Sequence, residues 1–442
     1  NQSHPECFEK AKKQIEIVKK RLAIIGTGIS GMTCGYFLHK HFDVQLFEQN
    51  SHVGGHSLTV DAMENSKKVP IDMGFMVFNK KTYPNLTRLF NELDVPVKNS
   101  KMSFSVQHLS LDLEFCGSSL NHLFAQRKNL LRPKFWRMLL QINRFNKEAL
   151  VALESGTFDT LTLQEYVEEK RYGEDFLRLY IIPMSSAIWS APPKLMLQFP
   201  ATTLLRFFHN HGFLGLNTQH QWLTPDGGSK QYVHRLTSSF KKNIRTSDAV
   251  TKIIRENGKA TVRTKNGKIE TFDKVIMASH ADQSLKLLDQ PCELESRLLS
   301  RFSYQKNTGT LHTDSSQMPK RQLCWASWNY RIKKDDEGNL HPRTIYWMNS
   351  LQDVSEKENY FVSINGEEEI KEDKIIKQVE FEHPLFDGAA VSAQSQLPDL
   401  NNRSEDQSVY FCGSYFKYGF HEDALVSAMD LCSTILKRPL WN

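Results

Sequence analysis

No run of about 18 uninterrupted apolar residues occurs in the 442-residue chain, so no membrane-spanning helix is expected. Cysteine is sparse: seven residues, widely scattered, with no CxxC pair, which points to neither a zinc site nor a disulfide framework and fits a reducing compartment. No metal site is expected. Charge of one sign is also lacking, with 56 basic against 50 acidic residues and a net charge of +6, too mild to call for a nucleic-acid partner. The first 21 residues have no long apolar core and no small-residue cleavage site, so no secretory signal is read there. Their Ala11, Ile15 and Val18, with Leu22, stand at helical spacing and predict a short amphipathic helix. Repeats and low-complexity tracts are missing. These absences leave an intracellular protein, cytoplasmic or peripherally membrane-associated. A 40% hydrophobic share excludes wholesale disorder, and the length favours two domains.

What is present begins at Arg21-Leu-Ala-Ile-Ile-Gly26-Thr-Gly28-Ile-Ser-Gly31, an apolar strand ending in GxGxxG. A helix follows over 32–41, then the alternating strand Asp43-Val-Gln-Leu-Phe-Glu48. This is the βαβ unit of a dinucleotide site. Gly26 permits the tight turn, Gly28 lets a pyrophosphate approach the backbone, and Gly31 lets the helix sit close. The helix N-terminus offers free N–H groups to phosphate. Glu48 is placed to accept from ribose hydroxyls and to repel a 2′-phosphate. A second diglycine, Gly54-Gly55, comes six residues later and is followed by His56. A nicotinamide enzyme has no need of it, whereas FAD lies stretched along the chain and does.

The remaining sequence divides unevenly. A hairpin is expected over 103–115, and a mostly helical, basic stretch over 120–153 carries Leu130, Leu131, Phe135, Trp136 and Leu140 among Arg127, Lys128, Arg132, Lys134, Arg137, Arg144 and Lys147. Further helices are expected at 162–170 and 174–182. Asn257-Gly258 marks a hairpin between strands 249–256 and 259–265. One strand is expected over 270–279, a solvated helix over 367–377 and a closing helix over 424–436. The fold class read from this order is α/β, a Rossmann-like FAD-binding domain interleaved with an α+β substrate domain. The first takes 20–110, 221–283 and 388–442; the second takes 111–220 and 284–387.

Gly26-x-Gly28-x-x-Gly31, Glu48, Gly54-Gly55, Pro225-x-Gly227-Gly228 and Phe411-Cys-Gly413 together resemble the FAD-dependent amine-oxidase-like flavoproteins, which include phytoene-desaturase-type enzymes. A narrower likeness rests on His383-Pro384-Leu-Phe-Asp387, Tyr346-Trp347-Met-Asn349 and the stretch from Gly413 to Asp423. It is similar to the flavin domain fused ahead of the methyltransferase in plant cyclopropane fatty acid synthases, and spans Lys20 to Leu436. The resemblance implies noncovalent FAD, because the surroundings of Cys412 do not match a covalent attachment motif, and His56 stands where many amine oxidases have Arg. It extends the cofactor-binding set to Ser30, His56, Val250, Gly413, Phe420 and His421.

The implied activity is hydride transfer on an apolar substrate, such as an unsaturated or cyclopropane-bearing acyl chain, by oxidation, desaturation or isomerisation. The alternatives are a flavin-holding accessory partner of an acyl-chain methyltransferase and an amine oxidase. His421 and Glu422, at the start of the last helix, are candidates for proton transfer beside the flavin, with helix capping as their other reading. Trp325, Trp328, Tyr346 and Trp347 are candidates for an aromatic substrate wall or for core packing. The basic stretch around Leu130 to Lys147 is read either as a face for anionic lipid or as an ordinary surface helix.

Overall fold

A computed structural model describes residues 19–215, 218–404 and 407–441. The amphipathic helix expected within the first 18 residues lies outside them. The chain builds a parallel sheet ordered Ile244–Arg245, Asp43–Phe47, Arg21–Ile25, Lys274–Met277 and Val409–Phe411. Its strands read as nearly continuous apolar runs because both faces are covered. Leu22, Ile24, Val44, Leu46, Ile276 and Tyr410 pack on one side with Cys34 and Leu38 of the helix Ile29–Leu38 and with Ala428 and Leu431 of the helix His421–Leu436. Ala23, Ile25, Phe47, Val275, Met277 and Phe411 face the other way.

The stretch expected as one strand over 270–279 is two. Ile269–Phe272 closes the antiparallel meander with Val250–Glu256 and Lys259–Thr264, and Lys274–Met277 then enters the parallel sheet. The meander turns at Asn257-Gly258, both at positive φ (51° and 70°), as that dipeptide favours.

The second sheet has seven strands, in the order Ile375–Leu385, Ser303–His312, Phe361–Ile364, Leu340–Trp347, Trp328–Lys334, Phe104–His108 and Leu113–Cys116. The hairpin expected over 103–115 forms and is part of this sheet. The helix expected over 367–377 is replaced by two short 3-10 turns and the start of the long edge strand Ile375–Leu385. Most of the segment is exposed, as expected, but Glu369 is partly buried and ion-paired with Arg343, a buried strand residue.

The helical insertion is broken where proline demands it. The continuous helix expected over 120–153 is a short helix Leu120–Leu123, a 3-10 turn Arg127–Leu131, and the helix Pro133–Ser155 with its proline in the first turn. Leu163–Glu169 starts on a capping box between Thr162 and Glu165. A widened turn, Leu177–Ile181, runs into Ile182–Trp189, whose Pro183 has no N–H to bond the preceding turn.

Candidate active site

A cavity of about 970 Å³ runs from the glycine turn, across the carboxyl ends of the parallel strands, to the face of the second sheet. Ligands of open α/β sheets bind at those strand ends. Gly26, Thr27, Gly28, Ser30, Glu48, Gly55, His56, Val250, Gly413, Phe420 and His421 all line it. Residues separated by nearly 400 positions thus meet in one cleft.

The glycine turn behaves as its spacing predicts. Gly26 has φ +101°, and a Cβ there would stand 2.7 Å from the Ala278 carbonyl oxygen. A Cβ on Gly31 would come within 2.0 Å of the Gly26 oxygen, so only glycine lets the helix start this close. Gly28 differs: an added Cβ meets nothing within 4 Å, because it would project into the open cavity. The helix Ile29–Leu38 has no side-chain cap and no acidic residue in its first turn, which leaves its N-terminal dipole unopposed toward an anion. This cradle, with uncapped amides at one end and a buried acid beside it, fits a dinucleotide.

Glu48 is buried, and its carboxylate accepts from Thr27 N (3.2 Å), Thr27 Oγ1 (2.6 Å) and Asn50 N (2.9 Å). Oε2 takes both Thr27 bonds and Oε1 only the Asn50 bond, so Oε1 retains a lone pair, and the residue borders the cavity. Ser30 donates its hydroxyl to the Ala424 carbonyl at 2.8 Å, tying the glycine-turn helix to the C-terminal helix. Gly54 lies behind the lining, where its N–H reaches Thr27 Oγ1 at 3.4 Å, and a Cβ on Gly55 would stand 3.1 Å from the Gly28 Cα.

At the other end, three successive residues of one helix point in three directions. His421 faces the cavity, stacked on Phe75 at 3.9 Å, with Nε2 2.7 Å from the Tyr232 hydroxyl. Burial pushes its pKa down to about 3, so it is a neutral ring at physiological pH. Glu422 does not reach the cavity. Its carboxylate accepts from Asn85 N (2.9 Å), Asn85 Nδ2 (2.8 Å) and Leu86 N (2.9 Å), anchoring the N-terminus of the helix Pro84–Glu92. The proton-transfer reading of Glu422 is thereby corrected: the acid caps a helix, and a different one from its own. Asp423 accepts from Phe420 N (2.9 Å) and caps its own helix.

The aromatic wall is corrected in the same way. Tyr346 and Trp328 line the cavity and meet edge to face at 5.2 Å. Trp347, one residue on, must point to the opposite face of the strand. It packs against Trp325 at 5.3 Å, over Phe361, and donates its indole N–H to Asn359. Neither Trp325 nor Trp347 touches the cavity.

A cluster that the residue reading missed lies where the second sheet closes over the cavity. His280, at the end of Lys274–Met277, places Nδ1 3.2 Å from Glu382 Oε2, and Gln283 donates to the same oxygen at 3.0 Å. The His280 ring holds the Glu382 carboxyl below its usual range. Tyr304 stacks on His280 at 4.2 Å. His383 accepts at Nδ1 from Asn307 Nδ2 (2.8 Å), which places its proton on Nε2, and burial together with His280 lowers its pKa to about 4. His56 stands beside it, ring centroids 5.4 Å apart, also neutral through burial. The position of His280 at a strand's carboxyl end was the available signal; the pairing with Glu382 was not visible in sequence.

Residues 29–315 match the family model described as flavin containing amine oxidoreductase. The chain belongs to that family. FAD is accordingly its cofactor, and the chain is an FAD-dependent oxidoreductase of the amine-oxidase type. None of the described cysteines borders the cavity. Cys412 is buried against Cys34 (Sγ–Sγ 3.9 Å), so it offers no thioether to the flavin.

Among solved structures, the CLA-producing fatty acid isomerase from P. acnes is 13% identical with a TM-score of 0.67, covering 94% of this chain and 98% of the isomerase. A putrescine oxidase is 13% identical (TM-score 0.65, 95% and 99% covered), and the cyclohexylamine oxidase from Brevibacterium oxydans 14% (0.64, 95% and 100%). At these identities the likeness is one of fold. No curated protein sequence matches the chain.

Proposed function

We propose that this flavoenzyme acts on an apolar acyl chain, by removal of hydride or by isomerisation of a double bond. The observation that carries the reading is the lining of the cavity beyond the glycine turn. Met102, Phe104, Ile188, Phe213, Trp328 and Tyr346 face it, and no lysine or arginine lines the cavity among the described residues. A free carboxylate would find no counter-charge there, so the acyl group is read as esterified, or as entering chain first. The fatty acid isomerase of the same fold takes a substrate of this class.

Bound FAD supplies a two-electron acceptor for a hydride. The chain must manage the matching proton, and His280 supports that task. Glu382 fixes its Nδ1–H, leaving the Nε2 lone pair free to accept a proton, in the manner of a carboxylate–histidine base. The accessory-partner reading draws on Glu422 being committed to structure, but it gives the His280–Glu382 pair no task.

The test is incubation of the FAD-loaded protein with phospholipids bearing unsaturated chains, followed by analysis of the released acyl groups. A changed double-bond pattern that falls about 100-fold in His280→Asn supports the proposal. Unchanged acyl chains with peroxide release from a polyamine panel would establish the amine oxidase instead. Unchanged acyl chains without peroxide, in a protein that co-purifies with a methyltransferase, would establish the accessory role.

A further inference from the structure

The helical insertion carries an unusual surface. From Phe115 to Lys147 the chain has no acidic residue and seven Lys or Arg. The helix Pro133–Ser155 buries Phe135, Met138, Phe145, Ala149 and Ala152 in its own domain. Its outer stripe is not polar, as it would be on an ordinary surface helix. Leu140 is 68% exposed, and the preceding turns present Leu131 at 87% and Leu120 at 76%. Trp136, exposed like them, joins these segments: its indole N–H bonds the Leu130 carbonyl at 2.9 Å, and its ring lies 5.1 Å from Phe124. Trp136 and Leu140 are neighbours one turn apart. The apolar residues therefore form one surface rather than scattered exposures.

The flanking cations are available. Lys134, Arg137 and Lys147 have no acidic partner among the described residues, whereas Lys128 pairs with Asp112 and Arg144 with Glu148. Exposed leucines and a tryptophan ringed by unpaired lysine and arginine match an anionic lipid interface, where apolar side chains enter the acyl boundary and cations meet headgroup phosphates. We propose that this face, Leu120 to Lys147, docks the protein on anionic membranes. The inner side of the same lobe backs the cavity: Phe104 and Trp328 line the cavity and also pack on the cluster holding Phe135 and Met138. The inference is independent of the substrate reading, since a docking face serves any apolar substrate held in lipid.

The test is sedimentation of the full FAD-loaded chain with vesicles of phosphatidylglycerol and phosphatidylcholine, and with phosphatidylcholine alone. Binding is expected to the anionic vesicles, weakening with salt. Neutralising Lys134, Arg137 and Lys147 together to Gln is expected to cut it on the order of 100-fold, given about fivefold per cation. Trp136→Glu with Leu140→Glu is expected to abolish what salt leaves. Flavin absorbance of each variant establishes that it is folded. Equal binding of wild type and both variants, or no binding of folded wild type, overturns the proposal. So does a wild-type dimer in solution that both variants convert to monomer, because the face would then be an interface between copies.

Discussion

The two ends of the cavity are built by opposite means. Around the glycine turn the lining is backbone, and it works through what is missing: no Cβ at Gly26, Gly28 or Gly31, and no cap on the helix that follows. Over the second sheet the lining is side chain, and it works through what is present: aromatic faces, a histidine–glutamate pair and a fixed histidine tautomer. The first kind of site can be destroyed by adding one methyl group, whereas the second can be altered stepwise.

The sharpest way to break the comparison is at the glycines. Gly31→Ala puts a methyl group 2.0 Å from a carbonyl oxygen, and should cost about 3 kcal/mol together with the bound flavin. Thermal unfolding and absorbance near the flavin band read both losses. Gly28→Ala, whose methyl meets only open cavity, should keep the melting temperature and lose cofactor affinity. Equal melting losses in the two variants would contradict the geometry.

Glu422→Ala comes next. It strands two backbone N–H groups and the Asn85 amide, and should cost about 2–3 kcal/mol. Purified holoprotein of this variant should keep its kcat/KM near wild type. A large fall in turnover without a fall in Tm would restore the proton-transfer reading.

Another effect depends on pH. Burial raises the Asp423 pKa to about 7, against about 3.9 unfolded. The folded state therefore holds this proton more tightly, and the carboxyl's contribution to stability declines as pH rises from about 4 to about 7, by about 1.4 kcal/mol per pH unit at most. Asp423→Asn removes that slope, so the Tm difference between variant and wild type should move in the variant's favour across this window. A difference that stays constant would show that the group is not buried as protonated acid.

The smallest effect is expected from the aromatic strand. Trp347→Phe should leave turnover unchanged, while Tyr346→Ala, its neighbour on the cavity face, should raise KM for an apolar substrate. The reverse result would place the wall on the other side of the sheet.

The glycine turn was legible because its constraint is local: spacing, a strand before and a helix after are properties of some thirty consecutive residues. Asn257-Gly258 was legible for the same reason. The aromatic wall was half legible, since adjacency put Tyr346 and Trp347 together in sequence and strand alternation put them on opposite faces. His421, Glu422 and Asp423 likewise share a helix start, but successive helical residues diverge by 100°, and sequence does not tell which of them meets the cavity. The segment 367–377 is largely exposed, as its charge suggested, but charge does not specify a helix, and the segment forms 3-10 turns and the start of an edge strand.

The amino-acid order by itself determined a glycine turn shaped for a dinucleotide and the resemblance to flavin oxidoreductases. Each of these depends on contacts short in sequence or on glycines whose conformations no other residue shares. Only the tertiary structure decided which polar groups are free to act. Burial silences the charge on His421 and His383, hydrogen bonds commit Glu422 to a distant helix, and folding brings the turn after one strand against a strand more than 100 residues away, pairing His280 with Glu382. Proton affinity is set by surroundings, and surroundings are made by folding.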